Sequence, residues 1–157
     1  MIEKYVVSLD LAKELKEAGW EKYTIYVWAI NVGEQHKTLV VPHAEVRHEK
    51  HEVWFGAFAK HYQEILPAPL AEEIIEGLPK KITDEQTYRL RIERHDDHYT
   101  VGYCYDYLFS YRQDKNIIAE SVLRWLKLIT DSNISNALAR LWLWLKENGY
   151  LEGKNED

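Results

Sequence analysis

At 157 residues, with 46% apolar and 13% aromatic side chains, the chain can bury one hydrophobic core without disulfides or a structural metal, and disorder is excluded. A single cysteine, Cys104, allows no intrachain disulfide. The net charge is −6, with 8 basic and 9 acidic side chains in residues 1–60 and 12 and 17 in the remainder, so no basic half exists for general phosphate-backbone binding.

Residues 8–19 predict a short helix over 8–18, with Ser8 at the cap, Asp10 in the first turn, Leu11, Leu15 and Ala18 on one side, and Gly19 as the stop. Tyr23 to Ile30 reads as a strand rich in aromatic and β-branched residues. Asn31 to Thr38 is a polar turn, Leu39 to Val41 a short strand stopped by Pro42, and 43–52 an exposed charged connection or hairpin tip. Val53 to Phe58 is a further strand, with Trp54 and Phe58 on one face and Val53 and Phe55 on the other. Residues 31–60 as a whole read as a His-rich insertion or hairpin.

Helix 69–77 follows, with Pro69 in the first turn, Glu72 and Glu73 at its positive end, and Gly77 and Pro79 behind it. Thr87–Arg94 and Tyr99–Tyr107 carry the strongest hairpin signal. A turn at Asp96-Asp97 pairs His95 with His98, Ile92 with Val101, Leu90 with Tyr103 and Tyr88 with Tyr105. That register puts Tyr88, Leu90, Ile92, Tyr99, Val101, Tyr103, Tyr105 and Tyr107 on one face. Arg89, Arg91, Glu93, Thr100, Gly102, Cys104 and Asp106 take the other.

Asn116 to Thr130 fits an amphipathic helix through Ile118, Val122, Trp125, Leu126 and Ile129, although Leu123 and Leu128 fall off that stripe. Ile134, Ala137, Leu138, Leu141, Trp142 and Leu145 recur at helical spacing and predict helix 134–148, capped by Ser132 or Ser135 and closed by Gly149. Leu143 and Trp144 lie off or at the edge of that stripe, and cover a neighbouring element or seed a dimer contact. Together these elements predict a single α+β domain over 1–151, an antiparallel sheet with helices packed against it, and a frayed acidic tail at 152–157. No apolar run approaches the roughly 18 residues of a membrane span. Met1–Tyr5 lacks a secretory layout, and a lone cysteine fits a reducing compartment, so a cytoplasmic protein is the expectation.

Three blocks carry a resemblance: residues 8–19, 67–79 (Pro-Ala-Pro-Leu-Ala-Glu-Glu-Ile-Ile-Glu-Gly-Leu-Pro), and 136–151 (Asn-Ala-Leu-Ala-Arg-Leu-Trp-Leu-Trp-Leu-Lys-Glu-Asn-Gly-Tyr-Leu). In this order they resemble a loose group of small, uncharacterised phage and prophage proteins. The resemblance covers roughly a quarter of the chain and implies a C-terminal helix packed on an antiparallel sheet. It brings no catalytic or binding residue with it, and residues 31–60 depart from the pattern.

His36, His43, His48, His51 and His61 are the sharpest chemical candidates, with His48 and His51 at i, i+3 and Glu45, Glu49 and Glu52 nearby. A zinc site needs three or four such ligands in a packed surround, and no HExxH or cysteine pattern accompanies these. Solvated loop is the plainer reading, and the expectation is no bound metal or cofactor. His95-Asp-Asp-His98 gathers two imidazoles and two carboxylates, but turns favour Asp for backbone reasons alone. Cys104 beside Arg89 has the charge a reactive thiol needs, without the sequence context of a nucleophile.

The tyrosines at 99, 103, 105 and 107 form either a half-buried sheet face or a recognition surface. Arg89, Arg91 and Arg94, with Lys80 and Lys81, offer a local basic strip for nucleic acid, although alternating charge on an exposed strand explains them equally. The leading expectation is a non-enzymatic accessory protein of phage or prophage origin, acting through a protein partner or self-association, with no membrane role. A small enzyme or metal-binding protein using the His-rich insertion comes second, and nucleic-acid binding through the arginine strip third.

Overall fold

Ser8 caps helix α1 (Leu9–Glu17) by accepting from the Leu11 amide at 3.4 Å, and Leu11, Ala12 and Leu15 sink into the core. The computed structural model describes residues 1–152; of the tail expected at 152–157, residues 153–157 lie outside them. Among these residues three α-helices pack with three antiparallel sheets, an α+β arrangement as the sequence patterns require.

The first sheet has the order β2-β1-β6, from β1 (Tyr26–Val32), β2 (Lys37–Pro42) and β6 (Glu64–Pro67). The second, β3-β4-β5, is built from β3 (Val46–Arg47), β4 (Glu52–Phe55) and β5 (Phe58–His61). Residues 43–52, expected as an exposed connection or hairpin tip, are mostly exposed, but they form β3 and two 3-10 turns and bury Val46. Val41, Val46, Val53 and Tyr62 join Val27, Ala29 and Val32 in a small core of their own. Val41, Val46 and Val53 come from three different short strands, β2, β3 and β4, and Tyr62 follows β5 directly. Val53–Phe58 is not one strand. The chain reverses at Gly56-Ala57 so that Phe55 pairs with Phe58, and Trp54 faces Ala59.

Helix α2 (Ala71–Glu76) starts later than the sequence suggests. Leu70 is its cap and Pro69 precedes the helix, where its carbonyl accepts from the Val7 amide. Glu73 folds back to accept from the Leu70 amide at 2.7 Å and from the Ile25 amide at 2.8 Å, so one carboxylate ties α2 to the start of β1.

The third sheet runs β10-β9-β8-β7, with β7 (Lys81–Thr83), β8 (Thr87–Arg94), β9 (Tyr99–Gln113) and β10 (Asn116–Asp131). Its hairpin register is the predicted one: Leu90 opposite Tyr103, Ile92 opposite Val101, with the His95 amide donating to the His98 carbonyl at 2.8 Å. Residues 116–130 are strand, not helix. Thr130 lies opposite Thr100 and the ladder continues to Asn116 opposite Gln113, broken once by a bulge between Trp125 and Lys127. The helical stripe read from Ile118, Val122 and Trp125 is overridden because β9 offers a full-length hydrogen-bonding partner to a β-branched sequence.

Helix α3 (Ile134–Glu147) lies over this sheet, with Ala137, Leu138, Leu141, Trp142 and Leu145 buried. Asn133 caps it, accepting from the Asn136 amide, and neither predicted serine does. Ser135 is buried instead, donating to the Tyr5 carbonyl at 2.7 Å, while the Asn136 side chain accepts from the Ser8 amide at 2.8 Å. The start of α3 is thus clasped to the N-terminal segment. Gly149, at φ +76°, closes the helix where a β-carbon would be strained. Between α1, α3 and the first and third sheets lies the main core, joined by Trp20, Leu66, Ile74, Ile82 and Tyr103.

Candidate functional site

Strand β8 stops pairing with β9 at Arg89 opposite Cys104, but β9 and β10 run on together. Tyr105–Gln113 pairs with Asn116–Arg124, closed by a two-residue turn in which Asp114 adopts φ +54°. At about 3.3 Å per residue, these rungs project a two-stranded arm roughly 30 Å long. None of its residues from Tyr105 to Arg124 is buried.

Strand alternation gives the arm two unlike faces. On one, Tyr105, Tyr107, Phe109 and Tyr111 form a ladder that continues the row beginning at buried Tyr103. Tyr107 and Phe109 stack at 6.2 Å between ring centres, and Phe109 and Tyr111 at 6.1 Å. Two charges decorate the ladder: the Arg124 guanidinium lies 5.1 Å from the Tyr107 ring, and Glu120 accepts from the Tyr111 hydroxyl at 3.0 Å. At its root Tyr105 meets Tyr88 edge-on at 5.3 Å. The opposite face carries Leu108 and Ile117, 76% and 74% exposed, among Ser110, Ala119 and Ser121.

The predicted tyrosine row is therefore divided. Tyr103 is wholly buried, its hydroxyl donating to the Pro79 carbonyl at 2.6 Å, and burial holds its ionisation far above the usual phenol range. Tyr99 pairs with Arg94 at the other end of the hairpin. Tyr105 and Tyr107 belong to the arm with Phe109 and Tyr111, which sequence reasoning missed by ending the strand at 107. The alternation Tyr105, Tyr107, Phe109, Tyr111 is the signal that reveals them.

Arg89 and Arg91 lie on the sheet face away from α3, where Arg91 Nε contacts Glu93 at 2.5 Å. The strip is thus partly neutralised. On the same face Thr100, Gly102 and Cys104 are buried rather than exposed, because the Trp125 ring, opposite Cys104, lies against Gly102. Burial raises the Cys104 thiol pKa despite the lowering effect of Arg91, which leaves the thiol protonated near neutrality.

The histidines disperse. His43 Nδ1 donates to the Thr24 carbonyl at 3.1 Å, its ring stacks on Tyr23 at 4.4 Å, and it meets His48 Nε2 to Nε2 at 2.8 Å. His51 does not share a helix face with His48. It takes a left-handed conformation after a short 3-10 turn, and its ring sits 5.4 Å from Tyr62. His36 and His61 line an open groove of about 800 Å³ between residues 31–39 and 59–63, with Lys37, Lys60 and Gln63. Among the described residues no three His, Cys, Asp or Glu side chains converge as a metal site. At the hairpin tip His95 and His98 stack at 4.4 Å, and the His98 contact at 2.5 Å holds the Asp97 carboxyl below its usual range.

No described helix is long and apolar enough to cross a membrane. In comparison with known proteins, the chain matches no family model, no curated protein and no solved structure.

Proposed function

We propose that this chain is a binding protein, an accessory factor of phage or prophage origin, that acts through protein contacts made by the β9–β10 arm. The observation that carries the reading is the arm itself: a row of aromatic side chains held out from the body on a ribbon that contributes to neither core. Two-stranded ribbons are marginal in water on their own, and exposed aromatic rows with an adjacent Arg are what protein-recognition surfaces use. The resemblance of the three helical blocks supports the origin. Two acids and two bases within residues 105–115 and one of each within 116–124 leave the arm neutral, which favours a protein partner over nucleic acid.

A photo-crosslinking residue tests this when placed at Phe109 and, as control, at exposed Lys13 on α1. In cells carrying the gene, Phe109 should give a discrete protein adduct and Lys13 none. No adduct from the arm, or the same adducts from both positions, overturns the reading.

A further inference from the structure

We infer that the partner of the arm is a second copy of this chain, joined by antiparallel pairing of β10 with its symmetry mate about a twofold axis at Val122. The inference rests on the reading of the arm as a protein-contact element and names its occupant.

Strand β10 is the edge of the third sheet, and among the described residues no strand pairs with its outer side. Natural edge strands are blunted by proline, lysine, bulges or a covering element. From Asn116 to Arg124 there is no proline, no lysine and no bulge; the one irregularity comes later, between Trp125 and Lys127. Joining two such edges converts two marginal ribbons into one four-stranded sheet, β9-β10-β10-β9, which satisfies the outward amides and carbonyls of both.

The order of charges selects the register. Glu120 and Arg124 are the only charged residues of β10 between Asn116 and Arg124, and each lies two residues from Val122. A twofold at Val122 sets Glu120 directly opposite Arg124 of the second copy, and does so twice. An axis at Glu120 or Arg124 would oppose like charges, and one at Ser121 or Leu123 would set both charges against uncharged residues. Pairing at Val122 also places Ala119 across from the second copy's Trp125 and Ser121 across from its Leu123. On the ladder face, Tyr111, Glu120, the second copy's Arg124 and its Tyr107 then form one continuous line, because Glu120 already holds Tyr111 and Arg124 already covers Tyr107.

Two measurements on the purified full chain test this. Opposed residues of an antiparallel pair have α-carbons within disulfide reach, so Val122→Cys should form a cross-linked dimer on mild oxidation, whereas Ile117→Cys, five residues off the axis, should not. Buried Cys104 is common to both variants and cannot account for a difference. In sedimentation, Glu120→Arg or Arg124→Glu should weaken the dimer about tenfold, and the double exchange should restore it. Far-UV circular dichroism of each variant should match the parent, since both side chains are exposed. A monomer at all concentrations, a dimer indifferent to the charges, or equal cross-linking at 117 and 122 overturns the inference. If the chain is monomeric while Phe109 still cross-links to a different protein, the symmetric pairing falls and the arm stands as a contact element; if neither occurs, both fall.

Discussion

Gly102 faces the bulge that β10 makes between Trp125 and Lys127. A β-carbon there would lie 2.0 Å from the Lys127 carbonyl oxygen and 3.1 Å from the Trp125 ring, and the first obstacle is backbone that cannot rotate away. Gly102→Ala should therefore destabilise by about 3 kcal/mol, at the upper end of overpacking costs. An unchanged urea midpoint would mean the bulge can slide. Leu141, wholly buried on the inner face of α3, should cost about 2–5 kcal/mol of stability on truncation to Ala. Cys104 behaves as a small buried apolar group. Burial raises its pKa, so the folded state favours the thiol over the thiolate. Its contribution to stability is complete below the ordinary thiol range and is lost as pH rises through the raised value. At pH 8 a thiol reagent should label the folded chain at least about tenfold more slowly than the denatured chain; equal rates would show an accessible thiolate.

Elements differ in how much of their stability is their own. Helix α2 is six residues long, too short to persist without help, and Glu73 supplies it by binding the Leu70 and Ile25 amides together. Glu73→Ala should cost about 1–2 kcal/mol, as loss of a helix cap does, and a loss confined to a few tenths would show that water replaces the carboxylate. The arm is the opposite case: long, yet absent from both cores. Replacing residues 106–123 by a two-residue turn should leave the midpoint of thermal unfolding within a few degrees of the parent while removing strand signal from the far-UV spectrum. A large drop would place the arm in the cooperative unit that holds the body together.

The molecule as a whole has two cores of unequal size. The larger lies among the helices and the third sheet; the smaller, around Val53, Val41 and Tyr62, sits beneath residues 37–61. Because the second is built from short strands and 3-10 turns, it should open locally before the body unfolds. Val53→Ala should cost about 1–2 kcal/mol and sharply increase protease cleavage within 43–61 under native conditions. Leu141→Ala should instead sensitise the entire chain. Equal patterns from the two variants would mean that the cores unfold as one.

Local chemistry was enough to specify α1, α3, Gly149 as a helix stop and the β8–β9 register, because each depends on periodicity or on a turn within a few residues. Pairing across Asp96-Asp97 follows from alternation alone: a one-residue slip would send Arg91 toward α3. Three features depended on contacts distant in sequence. Ser132 and Ser135 are as good caps as Asn133 by composition, and the N-terminal carbonyls of Lys4, Tyr5 and Val6 decide which side chain turns which way. Residues 43–52 look solvated throughout until Val46 is brought against Val41, Val53, Val27 and Ala29. Residues 116–130 suit a helix stripe and a strand equally well. Only the long ladder offered by β9 makes them strand, and with that choice the arm exists.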